Sequence, residues 1–211
     1  MKKIKLLLVF TLITGFICCQ STVLVEQELL PVLSKQEQLE HLYTTKVMPL
    51  FKSYDNVEIP TEFVVDKKDK TINAGASFGY VSVSQGLIDS EKEAIQLFVL
   101  AHEVAHIVTI SQAIIFDLGT EIPAGTNVNP YQKAELLADL MAVHLMLIHE
   151  PAMKTTLEGD FPYLKALLGG GGFTHPSGET RIDFMRQYLK LATHTTPVDA
   201  FYDSFGNIWN L

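Results

Sequence analysis

Cysteine is nearly absent from this chain. The 211 residues hold two, adjacent at Cys18 and Cys19, so the body of the chain has no disulfide framework to lean on. Positive charge is also scarce: 16 Lys and Arg stand against 24 Asp and Glu. The first 21 residues carry Lys2, Lys3 and Lys5 and no acid, so removing them leaves an acidic excess of roughly 11. Such a surface excludes nucleic acid as the expected partner. There is no internal repeat, and the one low-complexity stretch is the glycine run 169–172, which lacks the Lys-Ser/Thr of a phosphate loop. After the N-terminus no segment reads as a membrane span. The length suits one domain able to bury a sizeable core.

The start is organised differently from the rest. A basic beginning runs into the apolar stretch Leu6 to Ile17, which is short for a permanent span and reads as an export signal over 1–21, with a single domain over 22–211. Two processing routes fit. A cut before Cys18 or Cys19 with acylation of that cysteine makes a lipoprotein, although Gly15, Phe16 and Ile17 match the usual cleavage box poorly. A plain signal peptidase cut after Ser21 places small Cys19 and Ser21 at its recognition positions. The lipid-anchored form is the expectation, and that anchor is the only expected contact with a membrane.

Secondary structure signals follow in order. Ser34 and Glu37 form a capping box for a helix with apolar residues from Leu39 to Phe51, bent near Pro49. VEIPTEFVV (57–65) and GYVSVS (79–84) read as strands, with KKDK and glycines as turn material between them. Ser90 and Glu93 are expected to cap a very apolar helix running to about Ile115. Asn129, Pro130 and Gln132 open another, through about His149. A shorter helical segment covers 151–168, the glycines and THPSGE form a flexible loop, and a last helix spans roughly 178–192. Strands first and helices after predict an α+β domain.

Within the apolar helix stands FVLAHEVAHIVTI, Phe98 to Ile110. His102 and His106, four apart, share one helix face, where two imidazoles can grip one Zn²⁺ while Glu103 handles the metal's water. Burying these three groups costs several kcal/mol unless each is paired, and no Lys or Arg follows Lys92 in that helix. A third ligand must come from Asp117, Glu121, Glu135, Asp139, His144, His149 or Glu150. Glu135 and Asp139 stand out, being one turn apart amid Leu136, Leu137, Ala138, Leu140 and Met141. Two acids there repel unless a cation sits opposite. Zinc on Glu135, with Asp139 accepting the N–H of a ligand histidine, resolves this. His41, His149 and His194 read as solvated, and His144 as packing or capping.

HEVAH, ELLAD and HPSGETRI, in that order, resemble the H-E-x-x-H, E-x-x-x-D and H-P-S-x-x-x-R-I signatures of the HtpX-like and CAAX-prenyl-protease-like zinc metallopeptidases, the gluzincins of peptidase family M48. NAGASFGYVSVSQGLI (73–88) is similar to the segment preceding the zinc helix in that family, so the resemblance covers roughly 71–189. It implies a zincin-like domain in which a small β-sheet lies with an edge strand beside the H-E-x-x-H helix. It implies one Zn²⁺ per chain on His102, His106 and Glu135, with Glu103 as general base and Asp139 orienting His102. His175 and Asn73 would help hold the oxyanion, and Arg181 would support the site by pairing with an acid. Ala74-Gly75-Ala76-Ser77 departs from the bulkier residues usual after the Asn. The many spans of the best-known members are missing, so their prenylated or membrane-embedded substrates are not carried over.

The resulting expectation is a zinc-dependent endopeptidase of the cell envelope or periplasm, acting on unfolded or extended protein and peptide substrates, with strand 79–84 as the edge to which a peptide adds. The rival is a metal-bound assembly or chaperone-like lipoprotein that holds envelope proteins without cutting them. The presence of Glu103 favours the enzyme.

Overall fold

The computed structural model describes residues 33–211. The export signal and its two cleavage routes lie outside the described residues.

Ser34 caps α1 (Lys35–Leu42), and its reciprocal box with Glu37 is present. The helix then widens into a π turn (Tyr43–Val47) before α2 (Met48–Leu50). Pro49 has no N–H to give back to the preceding turn, and the widened turn is where the chain accommodates that loss. Three strands follow: β1 (Glu62–Asp66), β2 (Ala74–Ser77) and β3 (Tyr80–Ser84). β3 is the middle strand. It runs parallel to β1, with Phe63 opposite Val81, and antiparallel to β2, with Ala76 opposite Val81. This corrects the expectation for 79–84, because both edges of that strand are already bonded. Among the described residues the free edge near the helices belongs to β2, a strand of Ala, Gly and Ser whose composition gave no β signal.

Ser84, at the end of β3, caps α3 (Gln85–Asp89) by accepting from Leu87 N–H. That short helix displaces the expected cap at Ser90, which is extended, and α4 begins at Glu93 without a side-chain cap. α4 (Glu93–Ile115) is long and apolar enough to cross a membrane by length and composition, and most of it is buried between its neighbours. Its main partner is α5 (Pro130–His149), capped by Asn129, which accepts from Gln132 N–H. Burying Leu97, Leu100, Val104, Leu137 and Met141 completely supplies about 1.5–3 kcal/mol for each such large side chain.

The 151–168 segment is two helices, α6 (Pro151–Gly159) and α7 (Phe161–Leu168), broken where Gly159 precedes Asp160 and Pro162. α8 (Gly178–Ala192) has the expected bounds. It is not the last element. α9 (Pro197–Trp209), capped by Thr196, packs Phe201, Phe205 and Trp209 onto α5 and α8. Its final carbonyls receive the fully buried Lys133, whose Nζ donates to the Trp209 oxygen at 2.9 Å.

Candidate active site

α4 presents His102, Glu103 and His106 on the side facing α5 and β2, one helical turn separating the two rings. Their Nε2 atoms lie 3.0 Å apart. α5 brings in Glu135, whose Oε2 is 3.5 Å from His102 Nε2 and whose Oε1 is 3.3 Å from His106 Nε2. One turn further, Asp139 Oδ1 lies 2.9 Å from His102 Nδ1. Through that contact Nδ1 donates to Asp139, and Nε2 is left facing Glu135 and His106.

Arg181, on the first turn of α8, completes the group. Its Nε and Nη2 donate to the two oxygens of Asp139 at 2.6 and 2.7 Å, and its Nη1 lies 3.1 Å from Glu135 Oε2. Nη2 also approaches His102 Nδ1, at 3.4 Å. Nη2 and Nδ1–H are both donors and cannot bond each other, so the Nδ1 hydrogen goes to Asp139, at 2.9 Å. The cation demanded by two acids on a buried helix face is therefore supplied in part by a residue 42 positions away in sequence, not by a metal alone.

The residues present fit a divalent cation on two counts. A tetrahedral zinc with bonds near 2.0–2.1 Å holds its ligand atoms about 3.3 Å apart. The three separations here are 3.0, 3.3 and 3.5 Å. Among the described residues this is the one group of three or more His, Cys, Asp and Glu ligand atoms so close together. Charge points the same way: Glu103, Glu135 and Asp139 face one guanidinium, and a negative charge remains in excess even when His102 is protonated.

Titration follows from these contacts. Burial opposes charge on His102, but hydrogen bonding and charge from Asp139, with Glu135 behind them, push the ring up to about 9. A metal at Nε2 competes with that proton. Burial also works to raise Glu135, and the two histidines outweigh it, holding the carboxylate well below its usual range. Burial raises Glu103, with the histidines only partly offsetting it. No hydrogen bond or ion pair joins the Glu103 carboxylate to any described residue. A carboxylate of raised basicity with free lone pairs can take a proton.

His175 reaches the same place from a loop. Its Nε2 is 3.5 Å from Glu135 Oε1, its Nδ1 pairs with Thr174 Oγ1 at 2.7 Å, and its side chain is 58% exposed. Side chains of α5 contact the loop. Asn129 Nδ2 donates to Phe173 O at 2.7 Å and Gln132 Nε2 to Gly172 O at 2.8 Å. Gly171, at φ +79°, lies so close to Ser177 that a Cβ there would meet its nitrogen at 2.5 Å. Asn73 stands at the rim, its amide donating to Asp69 at 3.3 Å.

His102, Glu103, His106, Glu135, His175, Arg181 and Asn73 line one cavity of about 350 Å³. Sequence reasoning missed its other wall, built by Leu164, Leu167 and Leu168 of α7 with Ile72, Phe98 and Val99. The amphipathic run FPYLKALL immediately before the glycines carried that signal. A larger groove of about 670 Å³ between α1 and the start of α4 has no such convergence of ligand atoms. His144, as expected, packs: its Nδ1 meets Tyr188 OH at 2.7 Å and its ring stacks on Phe201.

A buried and a half-buried histidine on one helix, a carboxylate from the next and a glutamate without a partner among the described residues make a group that could hold a metal ion. The model of peptidase family M48 matches residues 34–116, the segment that carries the sheet, His102, Glu103 and His106. The likeness to that family covers this segment, less than half of the chain. Glu135, Asp139, His175 and Arg181 lie beyond the matched segment and are joined to it by geometry. No curated protein and no solved structure matches the chain.

Proposed function

We propose that this chain is an HtpX-like zinc endopeptidase of the cell envelope that cleaves unfolded or extended protein and peptide substrates. The observation carrying the proposal is that three ligand atoms at tetrahedral spacing share a cavity with an unpaired Glu103. His102, His106 and Glu135 would hold the zinc, which supplies Lewis acidity and lowers the pKa of a water. Glu103 takes the proton of that water as its oxygen attacks the scissile carbonyl carbon. As the C–N bond breaks, Glu103 passes the proton to the departing amine. His175 donates to the carbonyl oxygen as charge develops there, and Asn73, which lines the same cavity, is the second donor. Asp139 keeps the His102 tautomer, and Arg181 fixes both acids without touching substrate.

The free edge of β2 takes over the role first expected of 79–84. It runs from the Ala74 end beside the cluster to a hollow lined by Ala76, Ser77 and Phe78 on the other side of His106. An extended peptide paired to that edge crosses the site between the two hollows. Phe78 is 93% exposed and flanks the approach.

Envelope location rests on residues 1–21, with a lipid anchor at Cys18 or Cys19. Mass spectrometry of the mature N-terminus tests it, and a free terminus beyond Cys19 without lipid removes the anchor. For the activity, purified protein should hold about one zinc per chain and degrade unfolded casein until a chelator is added. Stoichiometric zinc in a His102→Ala, His106→Ala double variant, or casein turnover indifferent to chelation, would overturn the proposal.

A further inference from the structure

The rim of the cavity at Asn73 is the end of a loop that the proposed chemistry leaves unused. Between β1 and β2 the chain reads KKDK, placing the exposed Lys67, Lys68 and Lys70 together in a protein whose acids outnumber its bases. The acids of this turn are spent on its shape. Asp66 Oδ1 accepts from the Lys68 and Asp69 N–H groups at 2.8 and 3.3 Å. Asp69 Oδ1 accepts from the Thr71 N–H at 2.8 Å and from the Thr71 hydroxyl at 2.7 Å, and Asp69 Oδ2 accepts from Asn73. The turn is also pressed onto the start of α3. Gly86 N–H donates to Asp69 O at 3.2 Å, and a Cβ at Gly86 would stand 2.2 Å from the Thr71 carbonyl oxygen. The three lysines form no ion pair among the described residues, whereas most other described lysines do, as Lys46 with Glu150 and Lys92 with Asp160. Ile72 and Asn73, which follow directly, line the cavity.

We infer that this lysine loop is an outlying subsite for acidic side chains, so that the preferred substrate is an extended peptide carrying Asp or Glu a few residues beyond the scissile bond. The inference rests on the peptidase reading above. Antiparallel pairing is the commoner way to extend a sheet, and a peptide laid antiparallel on the free edge of β2 leaves the site past Ala74 toward Asn73 and the loop. That puts the acids on the C-terminal side of the bond. At about 3.3 Å per residue, roughly the third to fifth residues after it come level with Lys67 to Lys70. There they meet ammonium groups without a partner, while the acid excess of the surface at large repels them, so the loop also sets which way the peptide lies. An anionic membrane is the weaker candidate for the same lysines. Being flat, it would face that acid excess as well, whereas a peptide strand reaches the loop from the cavity.

The test uses the zinc-loaded full chain and two fluorescent peptides that share a casein-derived segment. They differ only at roughly the third to fifth residues after the bond that is cut, which are Glu in one and Gln in the other. At low salt the Glu peptide should have a kcat/KM at least about fivefold higher, carried by KM, and a correspondingly tighter Kd. The advantage should vanish at about 1 M salt, where screening acts within about 3 Å. In the Lys67→Gln, Lys68→Gln, Lys70→Gln triple variant it should fall below about twofold, with zinc content and kcat/KM for the Gln peptide unchanged. Changing the same three lysines to Glu should reverse the preference, which a merely structural role of the loop would not produce. Equal kcat/KM for the two peptides in the wild type, or an advantage that survives the triple variants, overturns the inference. It is overturned too if the lysines hold the chain on vesicles of pure phosphatidylglycerol while both peptides are cut alike, because the loop is then a membrane contact. Peptide binding read by fluorescence polarisation separates this inference from the peptidase reading. A lysine-dependent preference for the Glu peptide in binding, without any cleavage, supports the subsite and removes the peptidase alone. Casein turnover without that preference removes the subsite alone.

Discussion

Arg181 grips Asp139 through two parallel hydrogen bonds, 2.6 and 2.7 Å long, with both side chains buried. The fork keeps Asp139 ionised against the cost of burial, and the ionised Asp139 in turn holds the His102 ring. Arg181→Met should therefore strand two acids in the core and destabilise the fold by about 3–5 kcal/mol in urea unfolding. Arg181→Lys keeps the charge but not the fork, and zinc affinity should fall by about 10- to 100-fold. Wild-type affinity in the lysine variant would mean that the fork has no part in setting the site.

Glu103→Gln preserves size and removes the base. Zinc content should stay at one per chain while peptide hydrolysis drops by at least about a hundredfold. Unchanged turnover would assign proton transfer to another group.

His175 is exposed and lies outside the three-ligand cluster, so it can leave without opening the core. His175→Ala should lower kcat by about a hundred- to a thousandfold with zinc and the unfolding midpoint near wild type. Loss of zinc in this variant would reopen the choice of Glu135 as third ligand.

His144 supplies a pH dependence remote from the cluster. Burial, helped by the charge of His149, pushes its ring down to about 4, below the ordinary 6.5. The unfolded chain thus binds the proton more readily than the folded one. Stability from this group is intact above about pH 6.5 and is lost as pH falls toward about 4, with a slope of at most about 1.4 kcal/mol per unit. His144→Gln should flatten the wild-type decline between those values in urea titrations at stepped pH. A decline of equal steepness in the variant would place the cause elsewhere.

Much of the site was legible because its signals are local. Asn129-Pro130-Gln132 fixed the start of α5, the apolar flanks of His102 and Glu135 marked both as buried, and one-turn spacing put each pair on a common face. What escaped depends on partners distant in sequence. Strand order cannot be read from Val81 and Val83, because alternation names a buried face and not the neighbours to either side. β2 is Ala-Gly-Ala-Ser, chosen by its register with β3 and its packing on α4, and carries no propensity of its own. The resemblance implied that Arg181 pairs with an acid, but only the folded chain shows it gripping two. α9 was within reach: Thr196, Pro197 and Asp199 form a helix start, and Phe201, Phe205 and Trp209 recur at helical spacing.

The first turn of α5 has a mechanical role beyond capping. Asn129 and Gln132 carry the glycine loop by its carbonyls, and Glu135, three residues on, faces His102 and His106. His175 and Glu135 are thus bolted to one rigid rod, although one rides on a loop and the other on a helix. Because the proposed metal ligands come from both α4 and α5, a change that bends the first turn of α5 displaces Glu135 and His175 together, and should be read in zinc content as well as in turnover.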